Sequence, residues 1–598
     1  CGKAGDRLAA RGRRLTGALA SWQISRQPVR QGGAALLIVL AVATGTLALA
    51  QRDSWTRSDH DQAAFNSGAD VRVQTSAPLS LAQADALARA PGVQHAMPVA
   101  TFAQSAIGAQ TIAVDSAQAA DVVLLRPDQL PLAEPELYKK IQPAGFSAGV
   151  TLPGRPAGLQ LTARLGPAAL GLAPALVTVS VEDTDGDVYQ FNAGTLAADG
   201  QAHTLAVSLS NGSGAIYPLR LTAVSLAYTL PATPPQSPAT FTVVSVSGGP
   251  GPAQLPGTAL RGWPAIASST ELSGVRQTGG TAGVAVAPAV SSTRGAVPVG
   301  QGPLTVTFAT GYGLAAGPFP GAPSTPIAAQ LALTVPAPRT TVPGLATRRF
   351  LAATNASVGS AVQTVVNGTP VSVKIVAALA SFPTVTSSGG ALIIDLGALQ
   401  DVLTAASLPP AQATQWWLAT SSGVSGLPPG LTASLPPGSA VTSTGGQAAG
   451  LLGNPLSTIP QQALLAVALA AAVLAITGFC VSIAAGVRQR RAESALLAAL
   501  GVPPRSAAGQ LCLEKLMLSV PSALAGLVLG VVLAELLVPA VTLTAAATTP
   551  VPTALIQFSW AHTLPLALAV AVLPVLAAGL TIVRRPDAAA ELRAAESA

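Results

Sequence analysis

The chain has 598 residues, of which 49% are hydrophobic and 10% charged, with a formal net charge of +7 and a pI near 9.7. Soluble domains usually carry about 25% charged residues, so this composition excludes an ordinary soluble protein and requires surface that meets lipid or strands built from Ser, Thr, Ala and Gly. The length exceeds what one hydrophobic core usually supports, and the basic residues flank apolar runs without interleaved aromatics, which argues against nucleic acid as a partner.

Residues 1–32 form a basic connector holding Lys3, Arg7, Arg11, Arg13, Arg14, Arg26 and Arg30. Cys1 stands where Met would be expected. It reads as a lipidated mature N-terminus or as the start of a fragment, and the arginines behind it favour the fragment because they resist translocation. Four segments meet the need for roughly 20 apolar residues across a bilayer: residues 33–50, 463–487, 516–541 and 564–583. The first competes with a signal peptide, but its long basic lead and weak Ala48-Ala50 site favour a retained helix. Positive charge ahead of the first segment, between the second and third (Arg488, Arg490, Arg491, Arg505, Lys515) and after the fourth (Arg584, Arg585, Arg593) places the termini and residues 488–515 in the cytoplasm. Residues 51–462 and the loop 542–563 then lie outside, in a multi-pass protein of the plasma membrane.

The expected fold is an α-helical membrane protein with four transmembrane helices and a large extracytoplasmic α+β domain carrying a β-sandwich, jelly-roll-like insertion. In residues 51–140, GADVRV (68–73) reads as a strand and LAQADALARAPGV (81–93) as a helix stopped by Pro91 and Gly92. In residues 141–346, Val177, Val179 and Val181 alternate before a turn at Asp185-Gly186, Val188 and Tyr189 resume the pattern, and Leu205, Val207 and Leu209 alternate after Asp199-Gly200. In residues 347–462 a hairpin spans Asn367-Gly368, and a buried strand (391–394) runs into a helix from Asp395. The two α/β pieces read as one domain interrupted by the insertion, with their pairing left open.

Sites for chemistry are weak. None of the five lysines is followed by Ser or Thr, so the phosphate loop GxxxxGK[ST] is absent. GFSAG (145–149) matches a nucleophile elbow, yet Pro143 and Pro153 oppose the required helix. DTDGD (183–187) crowds three carboxylates, but Gly186 comes fourth and Gly194 twelfth, which misses an EF-hand and favours a hairpin turn; a sandwich-edge calcium site stays open. His60, His95, His203 and His562 have no ligand spacing. No catalytic, cofactor or metal residues are expected. Ser522, Gly526, Gly530 and Ala534, four apart, predict a helix-packing face, and Glu535 lies near its outer end, where snorkelling competes with function.

RQRRAESALLAALGVPP (488–504) sets a basic cluster ahead of a short amphipathic helix. This stretch resembles the FtsX-like, or macrolide-exporter-type (MacB-like), ABC transporter permeases, whose signature is a basic cluster, a Glu and an ALLRALG-like helix. Arg490, Arg491, Glu493, Leu496, Leu497, Ala499, Leu500 and Gly501 match it; Ala498 stands where an Arg is frequent. Glu514, the Gly526-Gly530 pair, GADVRV, APGVQHAMPV and RRPDAAAELRAAE also resemble that family, and RLTGALASWQISRQPVRQGG looks like a connector from a preceding permease module, as in the C-terminal half of a long actinobacterial member.

The resemblance implies that Arg490, Arg491, Glu493, Leu496, Leu497, Leu500 and Gly501 dock on a separate ATPase subunit, which does the nucleotide chemistry, and that this chain is no enzyme. It further implies a second permease module or homodimer, the lipid bilayer and an extracellular protein as partners. Export or extraction of a lipophilic or envelope substrate is the expected function. The alternatives are a mechanotransmission regulator of a cell-wall enzyme and a membrane-anchored carbohydrate-binding or adhesion module, the latter having no use for three further membrane helices.

Overall fold

The computed structural model describes residues 28–143, 149–166, 173–209, 216–230, 238–248, 254–260, 263–269, 290–291, 304–309, 327–336, 340–421, 430–431, 435–489, 504–541 and 550–583. The chain divides into two compact units, one formed by residues 1–63 and 448–598 and the other by residues 64–447.

The first unit is helical: α1 (Pro28–Ser67) continues into the second unit, and Pro455–Gln489, Pro504–Val541 and Trp560–Val583 follow near the C-terminus. Among the described residues three helices are long and apolar enough to cross a membrane, over Gly32–Ser67, Thr458–Ala485 and Cys512–Val541, and a shorter apolar helical stretch covers Trp560–Leu573. α1 does not end where its apolar run ends at Ala50. Beyond that point Ser54, Ser58 and Gln62 recur every four residues and are buried, so a polar stripe of small and amide side chains keeps one helix face occupied. Gln62 Nε2 donates to Ser58 Oγ at 3.0 Å, and Ser54 Oγ accepts from Gln557 N at 2.9 Å.

In the second unit, strands from both α/β segments share one sheet. They are β1 (Val71–Gln74), β2 (Val93–Gln104), β3 (Ala109–Val114), β4 (Val342–Thr347), β5 (Ala361–Val366), β6 (Thr369–Leu379), β7 (Ala391–Asp395), β8 (Gln415–Thr420) and β9 (Ala440–Ser443), in the order β5-β6-β4-β7-β3-β2-β8-β1-β9. The segments interleave, β8 lying between β2 and β1 and β9 beside β1, and they also meet in the parallel pair β3–β7, in which Ile112 faces Ile393. All five residues of β7 are buried, as a strand covered on both faces must be. β4 begins at Val342, ahead of the expected segment start at 347. Pro343 and Gly344 disguise it, being unusual in a central strand, yet Val373 lies so close that a Cβ on Gly344 would stand 2.6 Å from its Cγ1.

Two helices complete the local pattern. α2 (Leu81–Ala88) opens with a capping box between Ser80 and Gln83 and stops at Ala88, short of Pro91. α3 (Leu396–Ala405) is capped by Asp395, whose carboxylate accepts from Ala398 N at 2.7 Å. Asn367 and Gly368 both take positive φ, 48° and 81°, as the tight turn between β5 and β6 requires.

The insertion forms two further six-stranded sheets, one built around Gly158–Gly166, Pro238–Ser247 and Ala202–Ser208, the other around Ala175–Glu182, Val188–Leu196 and Arg220–Leu230. The turn at Asp199-Gly200 moves the chain from the second sheet to the first, where Ala202–Ser208 pairs with Gly158–Gly166. The sheets face each other through one apolar core that holds Val177, Val179, Val181, Phe241 and Leu331. Tyr228 and Phe308 meet across it with ring centroids 5.0 Å apart. Val71, Leu87 and Trp416 belong to the same core, so the sandwich and one face of the nine-stranded sheet bury each other.

Gly68 ends α1 with φ +84°, the left-handed position at a helix C-terminus, and a Cβ there would lie 2.9 Å from Trp417 Cη2. Gly359 has a similar φ of +97° with nothing within 4 Å. Gly359→Ala should therefore cost only the backbone term of about 1–2 kcal/mol, whereas Gly68→Ala adds a clash with a buried ring worth about 1–3 kcal/mol more. Thermal unfolding of the two variants side by side checks that order.

Candidate functional site

Helices α4 (Pro455–Gln489), α5 (Pro504–Val541) and α6 (Trp560–Val583) gather around α1. Half of the most apolar window of α1 is buried, against 17% for α4 and 22% for α5, which makes α1 the helix the others cover. Their contact is backbone-close. A Cβ on Gly526 would stand 2.7 Å from Val39 O, and one on Gly530 would stand 2.6 Å from Thr46 Cβ. Gly478 of α4 meets Leu37 in the same way, with 2.8 Å to Cδ1, and Gly45 of α1 meets Leu566 of α6. Where no water is available to drive association, close approach of small residues supplies the dispersion contacts that hold helices together.

Ser522, Gly526, Gly530 and Ala534 thus lie on the buried side of α5, the glycines against Val39, Val42, Ala43 and Thr46 of α1. Ala534 is buried with Ala50 and Val538, while Ser522 Oγ donates to Leu518 O of its own helix at 2.7 Å. The opposite face of α5 leaves Leu524, Val528, Val532 and Leu536 exposed, and α4 does the same with Val467, Val473, Leu474 and Val481. Such large apolar faces need a lipid or protein cover. Glu535 is exposed among them.

A second arrangement ties the ends of the sheet unit. β1, the first strand after α1, is flanked by β8 and β9, the last strands before α4. Asp70 Oδ2 accepts from Thr420 N at 2.8 Å and from Thr420 Oγ1 at 3.0 Å. Thr444 N donates to Asp70 O at 2.9 Å, and Thr444 Oγ1 donates to Ala69 O at 2.8 Å. The chain therefore enters and leaves this unit through one hydrogen-bonded clamp. No local sequence signal marks it, because Asp70 and Thr420 stand 350 residues apart.

The remaining expected sites separate. Arg490, Arg491, Glu493, Leu496, Leu497, Leu500 and Gly501 lie outside the described residues, as do Cys1 and Ser147 of the GFSAG segment. The DTDGD segment is a hairpin turn joining Ala175–Glu182 to Val188–Leu196. His203 Nε2 contacts Asp199 at 3.0 Å and His562 Nδ1 contacts Ser559 Oγ at 2.8 Å, each an exposed local pair.

Residues 465–585 match the FtsX-like permease C-terminal domain. The matched segment takes in most of α4, the stretch to α5, α5 itself and α6, roughly a fifth of the chain. It supports a permease-type function, that of a membrane component of ABC transporters which is not itself the catalytic subunit. Comparison with curated proteins gives no match.

The glycine seam gives a direct expectation. Gly530→Leu must push α5 off α1, and should lower thermal stability in detergent by about 1–3 kcal/mol, while Val532→Leu on the exposed face should leave it unchanged.

Proposed function

We propose that the chain is the permease subunit of an FtsX/MacB-type ABC transporter. ATP binding and hydrolysis in a separate subunit would move the membrane helices and, through them, the extracytoplasmic sheet unit, for export or extraction of a lipophilic or envelope substrate. The observation that carries this reading is the FtsX-like permease match over 465–585, because that segment contains the basic, amphipathic stretch 488–504. In this reading four helices cross the membrane, both termini are cytoplasmic, and the insertion is a jelly-roll-like module. A second permease module or a second copy of the chain completes the transporter.

The stretch suits docking on physical grounds. Leu496, Leu497 and Leu500 recur at helical spacing, so a helix over this stretch would present them on one apolar face, with Arg490, Arg491 and Glu493 at its head and Gly501 as its stop. A partner groove would cover that face, and the arginines would fix its register. On the other side, the entry clamp supports transmission: α1 runs into β1 within a few residues, and β1 is bonded to the strands that lead to α4. A displacement of α1 would thus reach both neighbours of β1 together.

Changing Leu496, Leu497 and Leu500 to Asp should abolish co-purification with the cognate ATPase subunit and return its ATPase rate to that of the free subunit. Unaltered binding and rate in the triple variant would overturn the docking assignment.

A further inference from the structure

The turn that carries Asp183, Asp185 and Asp187 ends against the start of α3. Gly186 has φ +80°, and a Cβ on it would stand 2.9 Å from Gly397 N, so the two glycines let turn and helix touch. Gln118 Nε2 spans the same gap, donating to Asp185 Oδ1 at 2.7 Å. Here the insertion and the nine-stranded sheet enclose a cavity of about 160 Å³, into which six carboxylates face: Asp115, Glu182, Asp183, Asp185, Asp395 and Asp401.

Most of these carboxylates have structural partners. Asp183 Oδ1 accepts from Asp185 N and Asp187 N, each at 2.9 Å, and its Oδ2 accepts from Tyr189 OH at 3.1 Å. Asp395 accepts from Ser116 N at 3.1 Å as well as capping α3. Asp115 Oδ1 accepts from Ala117 N at 2.9 Å. Glu182 differs. It is 6% exposed and lines the cavity, and its carboxylate makes no hydrogen bond or ion pair among the described residues. Arg220, its cross-strand neighbour and part of the cavity wall, opposes its charge from beyond ion-pair distance. A carboxylate buried in this way needs a proton or a cation.

We propose that this cavity binds a divalent cation that keeps part of its water shell, held through Glu182 and Asp115 and walled by the remaining carboxylates. The volume is many times the roughly 10–15 Å³ that one water needs, so an ion and several waters fit. Among the described residues no three His, Cys, Asp or Glu side chains are placed to hold a bare ion. A hydrated ion needs no such closed set: Mg²⁺ ordinarily binds through one or two carboxylates with its waters retained. The bound ion would brace the insertion's Asp183–Asp187 turn against the Asp115–Ala117 loop and the head of α3. The family match does not bear on this site, which lies outside 465–585.

Proton competition follows from the same burial. Desolvation raises Glu182 to about 8, with Asp401 adding repulsion and Arg220 opposing it. Desolvation likewise raises Asp115 to about 7, Asp187 to about 7 and Asp185 to about 6, the last lowered in part by Thr184, Gln118 and His95. Asp183 and Asp395 are raised by burial as well. Each folded-state value stands above the ordinary carboxylate range, so the folded form holds the extra protons. In the cation-free protein their stabilising contribution is complete below about pH 4 and is lost as pH rises through 6 to 8. A cation replaces those protons, so its affinity should increase over the same interval.

The test uses the full chain in detergent, stripped with a chelator, titrated with Mg²⁺ or Ca²⁺ alone at constant ionic strength. We expect saturable binding by calorimetry, a rise in Tm, proton release on binding, and weaker affinity at pH 6 than at pH 8. Glu182→Gln and Asp115→Asn should each weaken binding by about tenfold or more while remaining folded by circular dichroism, and Glu182→Gln should raise the cation-free Tm at pH 8. Absence of binding by either ion at millimolar concentration, or binding that neither substitution alters, would overturn the proposal.

Discussion

The short strand Val71–Gln74 is the constraint on which the rest of the sheet unit depends. It follows α1 almost immediately, and it is hydrogen-bonded on one side to the strand that precedes the chain's return and on the other to the strand that leads into it. Everything between, including the whole β insertion, is a closed excursion from that clamp. Asp70, Thr420 and Thr444 lock the clamp with side-chain bonds in addition to the ladder, and loss of a partner there leaves backbone groups unsatisfied, at about 1–3 kcal/mol each. An excursion closed in this way can accept a long insertion at small entropic cost, because closure cost grows only slowly with loop length.

The helical unit obeys a different physics. Its helices are held by close approach at glycines and by small side chains such as Ala475, Ala523 and Ala571 packed around Ile38, Val42 and Phe479, while many large aliphatic residues, among them Leu524, Val528 and Leu536, are turned outward. Such outward apolar faces suit lipid, since apolar groups gain nothing by hiding from apolar solvent. It also leaves α1 engaged by three helices at once, through Gly526 and Gly530, Gly478, and Leu566. A helix so engaged is suited to moving with its neighbours, and it is the same helix that runs into the clamp.

Much of this was legible in the sequence where the signal is local. The apolar runs, the Asn367-Gly368 and Asp185-Gly186 turns, and the Asp395 helix start each rest on a few adjacent residues. What escaped reading is non-local or disguised. α1 persists past Ala50 because Ser54, Ser58 and Gln62 bury a polar stripe that a hydropathy window treats as a helix end. β4 was hidden by Pro343 and Gly344, whose usual meaning is a turn, until strands on both sides overrode it. The clamp and the acidic cavity join residues hundreds of positions apart, and DTDGD reads as a hairpin turn with a sandwich-edge calcium site left open because the carboxylates that face it, Asp115, Asp395 and Asp401, lie in other segments.

In the proposed function, ATP-driven movement of the membrane helices reaches the sheet unit through the clamp. Spin labels on exposed Val358 and on Val541 at the end of α5 would report it by pulsed electron resonance in the assembled transporter, with ATP trapped or absent. The distance distribution should shift on ATP trapping, and Asp70→Ala with Thr444→Val should blunt the shift while ATP is still hydrolysed. An identical distribution in the trapped and nucleotide-free states, with ATPase activity intact, would contradict the claim.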